Sequence, residues 1–205
     1  MIRNKVLVAI FALLLSGLAF ASGDAEAGKA KSGACIACHM TDGNSVNPDW
    51  PKLAGQHPQF LTRQMSLFKA GERSDPIMMG MTAALTDQDM ADLAAYFAGQ
   101  ARSAGAADEK MVKLGEKIYR GGIQDERNVP ACMACHGPDG KGNGPSGYPA
   151  VASQHAKYST KQLTSFRSGV AWGKGDNANT VMTDVVKYLS DEEIAAVASY
   201  IQGLH

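Results

Sequence analysis

Two copies of the motif Cys-x-x-Cys-His constrain this chain more than any other feature. They lie at 35–39 and 132–136, and together they use all four cysteines. The motif is typical of c-type haem attachment, because two thiols one helical turn apart can bond the two vinyl groups of one porphyrin. The histidine that follows each pair is then placed to bind the iron. The sequence therefore predicts two covalently bound haem c groups. The attachment and ligand residues are Cys35, Cys38, His39, Cys132, Cys135 and His136.

Other uses of four cysteines explain the motifs less completely. Two disulfide bonds are possible in an exported chain, and two Cys-x-x-Cys pairs can together bind a structural zinc ion. Neither alternative explains why a histidine follows each pair. A thioredoxin-like redox motif requires a βαβ context, and no segment alternates between apolar and polar residues for long enough to indicate a strand.

The N-terminal residues are typical of a secretory signal peptide. Arg3 and Lys5 provide a positive segment, an apolar segment follows them, and residues 19–21 fit the small-x-small cleavage rule. We expect cleavage after Ala21, so that residues 1–21 are removed, with an uncleaved membrane anchor as the alternative. Because c-type haem is attached outside the cytoplasm, the expected location is a bacterial periplasm.

Charge and hydropathy exclude two further classes of protein. The chain has 20 basic and 20 acidic residues, and the basic residues form no stripe of the kind that binds nucleic acid. No long apolar run follows residue 21, so the mature chain is not predicted to span a membrane.

The chain after residue 21 is an internal duplication. The matched segments are 51–57 with 149–155, and 85–89 with 189–193. We predict an N-terminal domain at 22–104 and a C-terminal domain at 105–205. The boundary lies in a stretch of Ala, Ser and Gly at 100–107, which is typical of a linker.

Each copy is predicted to be helical, which gives an all-α fold. Helical spacing of apolar residues and the positions of proline and glycine indicate the helices. The predicted helices are Asp24 to Ser32, Pro58 to Ala70, Asp108 to Arg120 and Lys157 to Ser168. A last helix in each copy begins after Thr86 or Ser190, each followed three residues later by an acidic residue, as in a capping box. Gly99 and Gly203 are predicted to follow these helices as C′ residues.

The second axial ligand decides what each iron can do. Methionine opposite histidine raises the reduction potential and suits electron transfer, whereas an open position suits catalysis. Only Met182 follows the second motif, but six methionines follow the first within its copy. The duplication favours Met78, because Met78 and Met182 each lie seven residues before the leucine that begins the matched segments 85–89 and 189–193. Met81 and Met79 are the alternatives.

The remaining histidines and carboxylates do not indicate a catalytic site. His57 and His155 lie at matched positions, 18 and 19 residues after the motif histidines. We predict a shared structural role for them at helix starts, with iron ligation as the alternative. Acidic residues at the helix starts are explained by capping and by the helix dipole. No catalytic residue is predicted, and the chain is not expected to be an enzyme.

With these features, the chain resembles the di-haem cytochrome c4 family. The resemblance covers the whole mature chain and rests on both motifs and on the segments 23–28, 51–56, 89–97, 114–122 and 199–205. It implies two tandem class I cytochrome c domains, each built around one haem. It also implies His/Met ligation of both irons, which supports Met78 and Met182. In this class a proline carbonyl bonds the other ring nitrogen of the ligand histidine. Pro51 and Pro149 are the candidates here, and a simple turn is the alternative.

The resemblance also implies a function. A member of this family is expected to be a periplasmic electron carrier of the respiratory chain, loosely associated with the membrane. It would pass electrons from a quinol-oxidising complex of the bc1 type to a terminal oxidase, and would bind no small-molecule substrate. One alternative is a cytochrome subunit of a dehydrogenase, such as a sulfide-oxidising flavocytochrome. Another is a di-haem peroxidase, which requires an open iron site.

Overall fold

The computed structural model describes residues 23–175 and 178–205. Within these ranges the protein is helical, and its only β structure is three isolated bridges. This confirms the predicted all-α fold. The predicted signal peptide, residues 1–21, lies outside the described residues. Among the helices of the described ranges, none has the length and apolar character needed to cross a membrane.

The described residues form ten helices, which follow the two copies of the duplication. In the first copy they are α1 (Ala25–Lys31), α2 (Gly33–His39), α3 (Pro58–Lys69), α4 (Pro76–Thr82) and α5 (Asp87–Ala98). In the second copy they are α6 (Glu109–Gly121), α7 (Met133–His136), α8 (Ala156–Arg167), α9 (Val181–Val186) and α10 (Asp191–Gly203). For four helices the sequence predicts both the first and the last residue. In the structure each of these helices begins and ends within one residue of the predicted position.

The same helix crossing organises each copy. Helix α5 packs against α1 and α3, and α10 packs against α6 and α8. Gly28 allows α1 to approach α5, since a Cβ there would lie 2.0 Å from the carbonyl oxygen of Asp92. Gly115 does the same for α6, where a Cβ would lie 2.2 Å from the carbonyl oxygen of Ala196. The buried side chains form one hydrophobic cluster in each copy.

For the last helix of each copy, the predicted N-terminal end is confirmed, but the predicted C-terminal end is not. Both capping boxes are present, with Thr86 and Ser190 as the N-caps. The prediction that glycines would follow these helices as C′ residues is wrong. Gly99 is the C-cap with a right-handed φ of −74°, and Gly203 is the last residue of α10. Glycine at 203 permits a close approach instead, because a Cβ there would lie 2.7 Å from the backbone nitrogen of Ala107.

Candidate haem sites

One continuous cavity of about 1060 Å³ extends through both copies of the repeat. Its wall includes both Cys-x-x-Cys-His motifs and side chains from the two hydrophobic clusters. All the predicted site residues line it: Cys35, Cys38, His39, Met78, Cys132, Cys135, His136 and Met182. The fold therefore brings two thiol pairs, two imidazoles and two thioethers to the same cavity.

None of the four cysteines is paired in a disulfide bond. Burial raises the pKa of Cys35, and it raises the pKa of Cys132 to about 11. Among the described residues, no three His, Cys, Asp or Glu side chains come close enough together to hold a metal ion. The arrangement therefore supports neither the disulfide nor the zinc alternative, and it fits a group that needs a thiol pair beside one imidazole.

Each motif histidine is buried and oriented by a proline carbonyl. Nδ1 of His39 donates a hydrogen bond to the oxygen of Pro51 at 2.9 Å, and Nδ1 of His136 donates one to the oxygen of Pro149 at 2.9 Å. This confirms the predicted role of the two prolines. Because a carbonyl oxygen can only accept, the bond places the proton on Nδ1 and leaves Nε2 as the nitrogen that can bind a metal. Burial lowers the pKa of both histidines, which favours the neutral form that ligates.

The same turn follows both motif helices and brings the prolines back to the histidines. The C-cap of α2 is Met40 and that of α7 is Gly137, with positive φ values of 64° and 76°. The carbonyl oxygen of Gly43 then accepts hydrogen bonds from the two backbone nitrogens at 53 and 54. The carbonyl oxygen of Gly140 accepts the equivalent bonds from 151 and 152. Each loop is thereby closed two residues after its proline.

The backbone of Met78 is fixed at both ends of a short helix. Asp75 caps α4, and its Oδ1 accepts hydrogen bonds from the backbone nitrogens of Ile77 and Met78 at 3.1 Å each. The carbonyl oxygen of Met78 accepts a bond from Oγ1 of the buried Thr82 at 2.8 Å. Met78 is therefore held at a defined position on the cavity wall.

The other candidate methionines differ in exposure. Met81 also lines the cavity but is 50% exposed. Met79 is 37% exposed and does not line the cavity. Met182 is half-buried on α9 and packs against the hydrophobic cluster of the second copy.

The matched histidines join the two copies of the repeat. Nε2 of His57 lies 2.8 Å from the carbonyl oxygen of Lys141 in the second copy. Nε2 of His155 lies 2.8 Å from the carbonyl oxygen of Ser45 in the first copy. Neither histidine lines the cavity, and neither side chain caps its helix. Their shared structural role is thus a contact between the domains, and only their backbones occupy the helix starts that the sequence predicts.

Two glutamines, which sequence reasoning did not single out as site residues, connect the haem sites. The side-chain amide of Gln56 exchanges two hydrogen bonds with the backbone of Ala150, each 2.9 Å long. The amide of Gln154 exchanges two with the backbone of Lys52, at 2.9 and 3.0 Å. Ala150 and Lys52 each directly follow the proline that orients a motif histidine. The repeated Gln-His pair was the available signal, but it does not reveal which backbone each glutamine meets.

A half-buried arginine, Arg102, bonds the segment between the domains to the backbone of both. Nε of Arg102 donates to the oxygen of Ala54 at 2.6 Å, and Nη1 donates to the oxygens of Ala150 and Ala152 at 3.3 and 2.9 Å. Burial lowers the pKa of Arg102 to about 10. The guanidinium thus bonds the backbone of both domains, which restricts their movement relative to each other.

Comparisons with known proteins agree with these features. The family model described as cytochrome c matches the chain twice, over residues 25–100 and 112–205. A cytochrome c4 of Pseudomonas aeruginosa is 49% identical, covering 98% of this chain and 100% of its own length. The crystal structure of reduced recombinant cytochrome c4 from Pseudomonas stutzeri is similar with a TM-score of 0.84 and 46% identity, covering 89% of this chain and 100% of that one. A thiosulfate dehydrogenase electron acceptor of Stutzerimonas stutzeri is 35% identical, covering 83% of this chain and 79% of its own length.

Proposed function

Because the chain belongs to the cytochrome c family, and within it to the di-haem cytochrome c4 proteins, we propose that it carries electrons from a quinol-oxidising complex to a terminal oxidase. Like its family, it is an electron-transfer protein with two covalent haem c groups. When bound, each haem supplies a one-electron iron couple. The proposal concerns the donor, the acceptor and the residues that hold each haem.

We propose two equivalent haem sites. Cys35 and Cys38 attach the first haem, with His39 and Met78 as axial ligands. Their equivalents in the second site are Cys132, Cys135, His136 and Met182. The two proline bonds support the histidines. Met78 is chosen over Met81 because its backbone is bonded by both Asp75 and Thr82, whereas the side chain of Met81 is 50% exposed.

The observation that carries the proposal is the shared cavity with its two glutamine bridges. Each site has a buried imidazole and a thioether for its iron, so neither requires a substrate as ligand. Gln56 and Gln154 hold the backbone beside one histidine to the backbone beside the other. Because both haems belong to one molecule, an electron can pass between them without a diffusional encounter of two proteins. The effective concentration of one haem near the other is therefore high, which favours transfer. One domain can then meet the donor while the other meets the acceptor.

A second candidate donor comes from the relatives. Proteins named thiosulfate dehydrogenase electron acceptor are 35% and 30% identical to this chain, and both cover 83% of it. A thiosulfate dehydrogenase is therefore the alternative donor. The quinol-oxidising complex is the donor that the resemblance to cytochrome c4 implies. It is favoured because the cytochrome c4 relatives are 45–49% identical to this chain, more than the thiosulfate dehydrogenase electron acceptors are.

Rapid-mixing spectroscopy distinguishes the two donors. The oxidised protein is mixed either with a bc1-type complex and quinol, or with a thiosulfate dehydrogenase and thiosulfate. The proposal predicts rapid reduction of both haems in the first mixture and slow reduction in the second, followed by rapid oxidation with an oxidase-containing membrane. Faster reduction by thiosulfate would assign the protein to thiosulfate oxidation.

The proposed location is the periplasm, with residues 1–21 removed on export and with loose attachment to the membrane. Support comes from the sequence of the N-terminal segment and from the covalent haems. N-terminal sequencing of the protein isolated from periplasmic and membrane fractions tests both parts.

A further inference from the structure

Besides Arg102, a second arginine side chain, that of Arg73, lies where the two domains meet. Arg73 follows α3, and its Nη1 donates a hydrogen bond to Oε1 of Gln64 in the first domain at 2.7 Å. Its Nη2 donates to the hydroxyl of Tyr158 at 2.8 Å and to Oε1 of Gln162 at 3.3 Å, both in the second domain. Gln64 and Gln162 each lie 13 residues after the proline of their own site. The cation is thus held by the equivalent residue of each domain.

Two aromatic rings fix the plane of this guanidinium. Its central carbon lies 3.9 Å from the ring centre of Trp172 in the second domain and 4.6 Å from that of Phe68 in the first. Trp172 is itself packed against Phe166, with ring centres 4.8 Å apart. Arginine suits such a place because its planar fork can donate several hydrogen bonds while it stacks on aromatic faces. All these partners are neutral, so they hold the charge without cancelling it.

Arg73 also lies on the wall of the cavity that contains both haem sites. Arg73, Gln64, Gln162 and Trp172 line the same cavity as the two Cys-x-x-Cys-His motifs. A ferric haem carries one more positive charge than a ferrous one. A fixed cation nearby therefore disfavours the oxidised form and raises the reduction potential. Because Arg73 is half-buried, salt screens its charge less than that of an exposed residue.

We propose that Arg73 acts electrostatically on both haem sites, and that its fixed charge raises the reduction potentials of the two haems together. This role rests on the haem sites proposed above. It would shift both potentials in the same direction, so the difference between them, and with it the direction of electron exchange between the haems, would stay largely unchanged.

The test is a redox titration of Arg73→Gln, which removes the charge and keeps an amide donor. We expect the equilibrium constant for reduction to fall roughly threefold to tenfold at both haems, where tenfold is about 59 mV for one electron. Arg73→Lys keeps the charge but loses the fork, and is expected to lose less than half as much. A fall in Arg73→Lys equal to that in Arg73→Gln would overturn the proposal.

Arg63→Gln is the matched control. Arg63 lies on α3, the helix that Arg73 follows, and also lines the cavity, but its side chain is exposed and has no hydrogen bond to the second domain among the described residues. Its effect is expected to be smaller, confined to the first haem, and lost at about 1 M salt, where the Debye length is about 3 Å. The effect of Arg73→Gln should persist at both haems in that salt. Equal behaviour of the two variants, or a shift at only one haem in Arg73→Gln, would contradict the proposal.

Two measurements on each variant separate this proposal from that of the haem sites. The intact mass reports the haem number, and the weak long-wavelength absorption of a sulfur–iron bond in the oxidised protein reports methionine ligation. A wild-type protein without two haems and this absorption would contradict the sites themselves. If the wild type has both but Arg73→Gln loses the absorption, Arg73 acts by holding the ligand loop, and the charge mechanism is wrong.

Discussion

Met78→His or Met182→His is expected to lower the reduction potential of one haem by hundreds of millivolts, within the ~0.8 V range that axial ligands can set. Histidine stabilises the ferric state more than the thioether does. Each variant should also lose about half of the weak long-wavelength absorption that a sulfur–iron bond gives in the oxidised protein, because one of the two methionine ligands is gone. An optical redox titration of the oxidised and reduced protein measures both effects.

Met81→Leu is the control for the choice of ligand in the first domain. It lies three residues after Met78, lines the same cavity and is 50% exposed. We expect it to leave both potentials and the whole absorption unchanged. If Met81→Leu removes half of the absorption while Met78→Leu leaves it intact, the assignment by repeat position is wrong.

Replacing both Cys132 and Cys135 by alanine is expected to remove one haem mass from the intact protein. The second domain should also lose much of its helix, because a domain of this size has little core without the haem. Mass spectrometry after acid–acetone extraction measures the first effect, and far-ultraviolet circular dichroism measures the second.

Met133→Leu tests whether that loss is specific to the thiols. Met133 lies within the same motif and is 37% exposed, so this variant should keep both haems and the full helical signal. Two retained haem masses in the double cysteine variant would show that the motif is not the covalent attachment site.

The local features of the fold were predictable because short-range patterns determine them. The capping boxes at Thr86 and Ser190 follow from residues three apart. The bonds from the motif histidines to Pro51 and Pro149 span 12 and 13 residues. In each case one short segment contains both partners, so its residue types are sufficient to indicate the contact.

The contacts between the domains were not predictable in the same way. Gln56 and Ala150 are 94 residues apart, and His155 and Ser45 are 110 apart. The repeat shows that the glutamines and histidines occupy equivalent positions, but it does not show that each copy binds the other. The wrong prediction of Gly203 as a C′ residue has a related cause. A glycine is found there because Ala107 of the linker approaches closely. In the sequence, such a glycine looks the same as one that ends a helix.

The most direct test of the carrier function is the addition of carbon monoxide to the fully reduced protein near neutral pH, with the Soret band of both haems recorded over time. If a histidine and a methionine occupy the axial positions of both irons, neither haem has a free position for a ligand. The proposed sites predict no rapid change at either haem. Rapid, stoichiometric binding at one haem would show an open iron site, and would contradict the assignment of the protein as a carrier without substrate-binding iron.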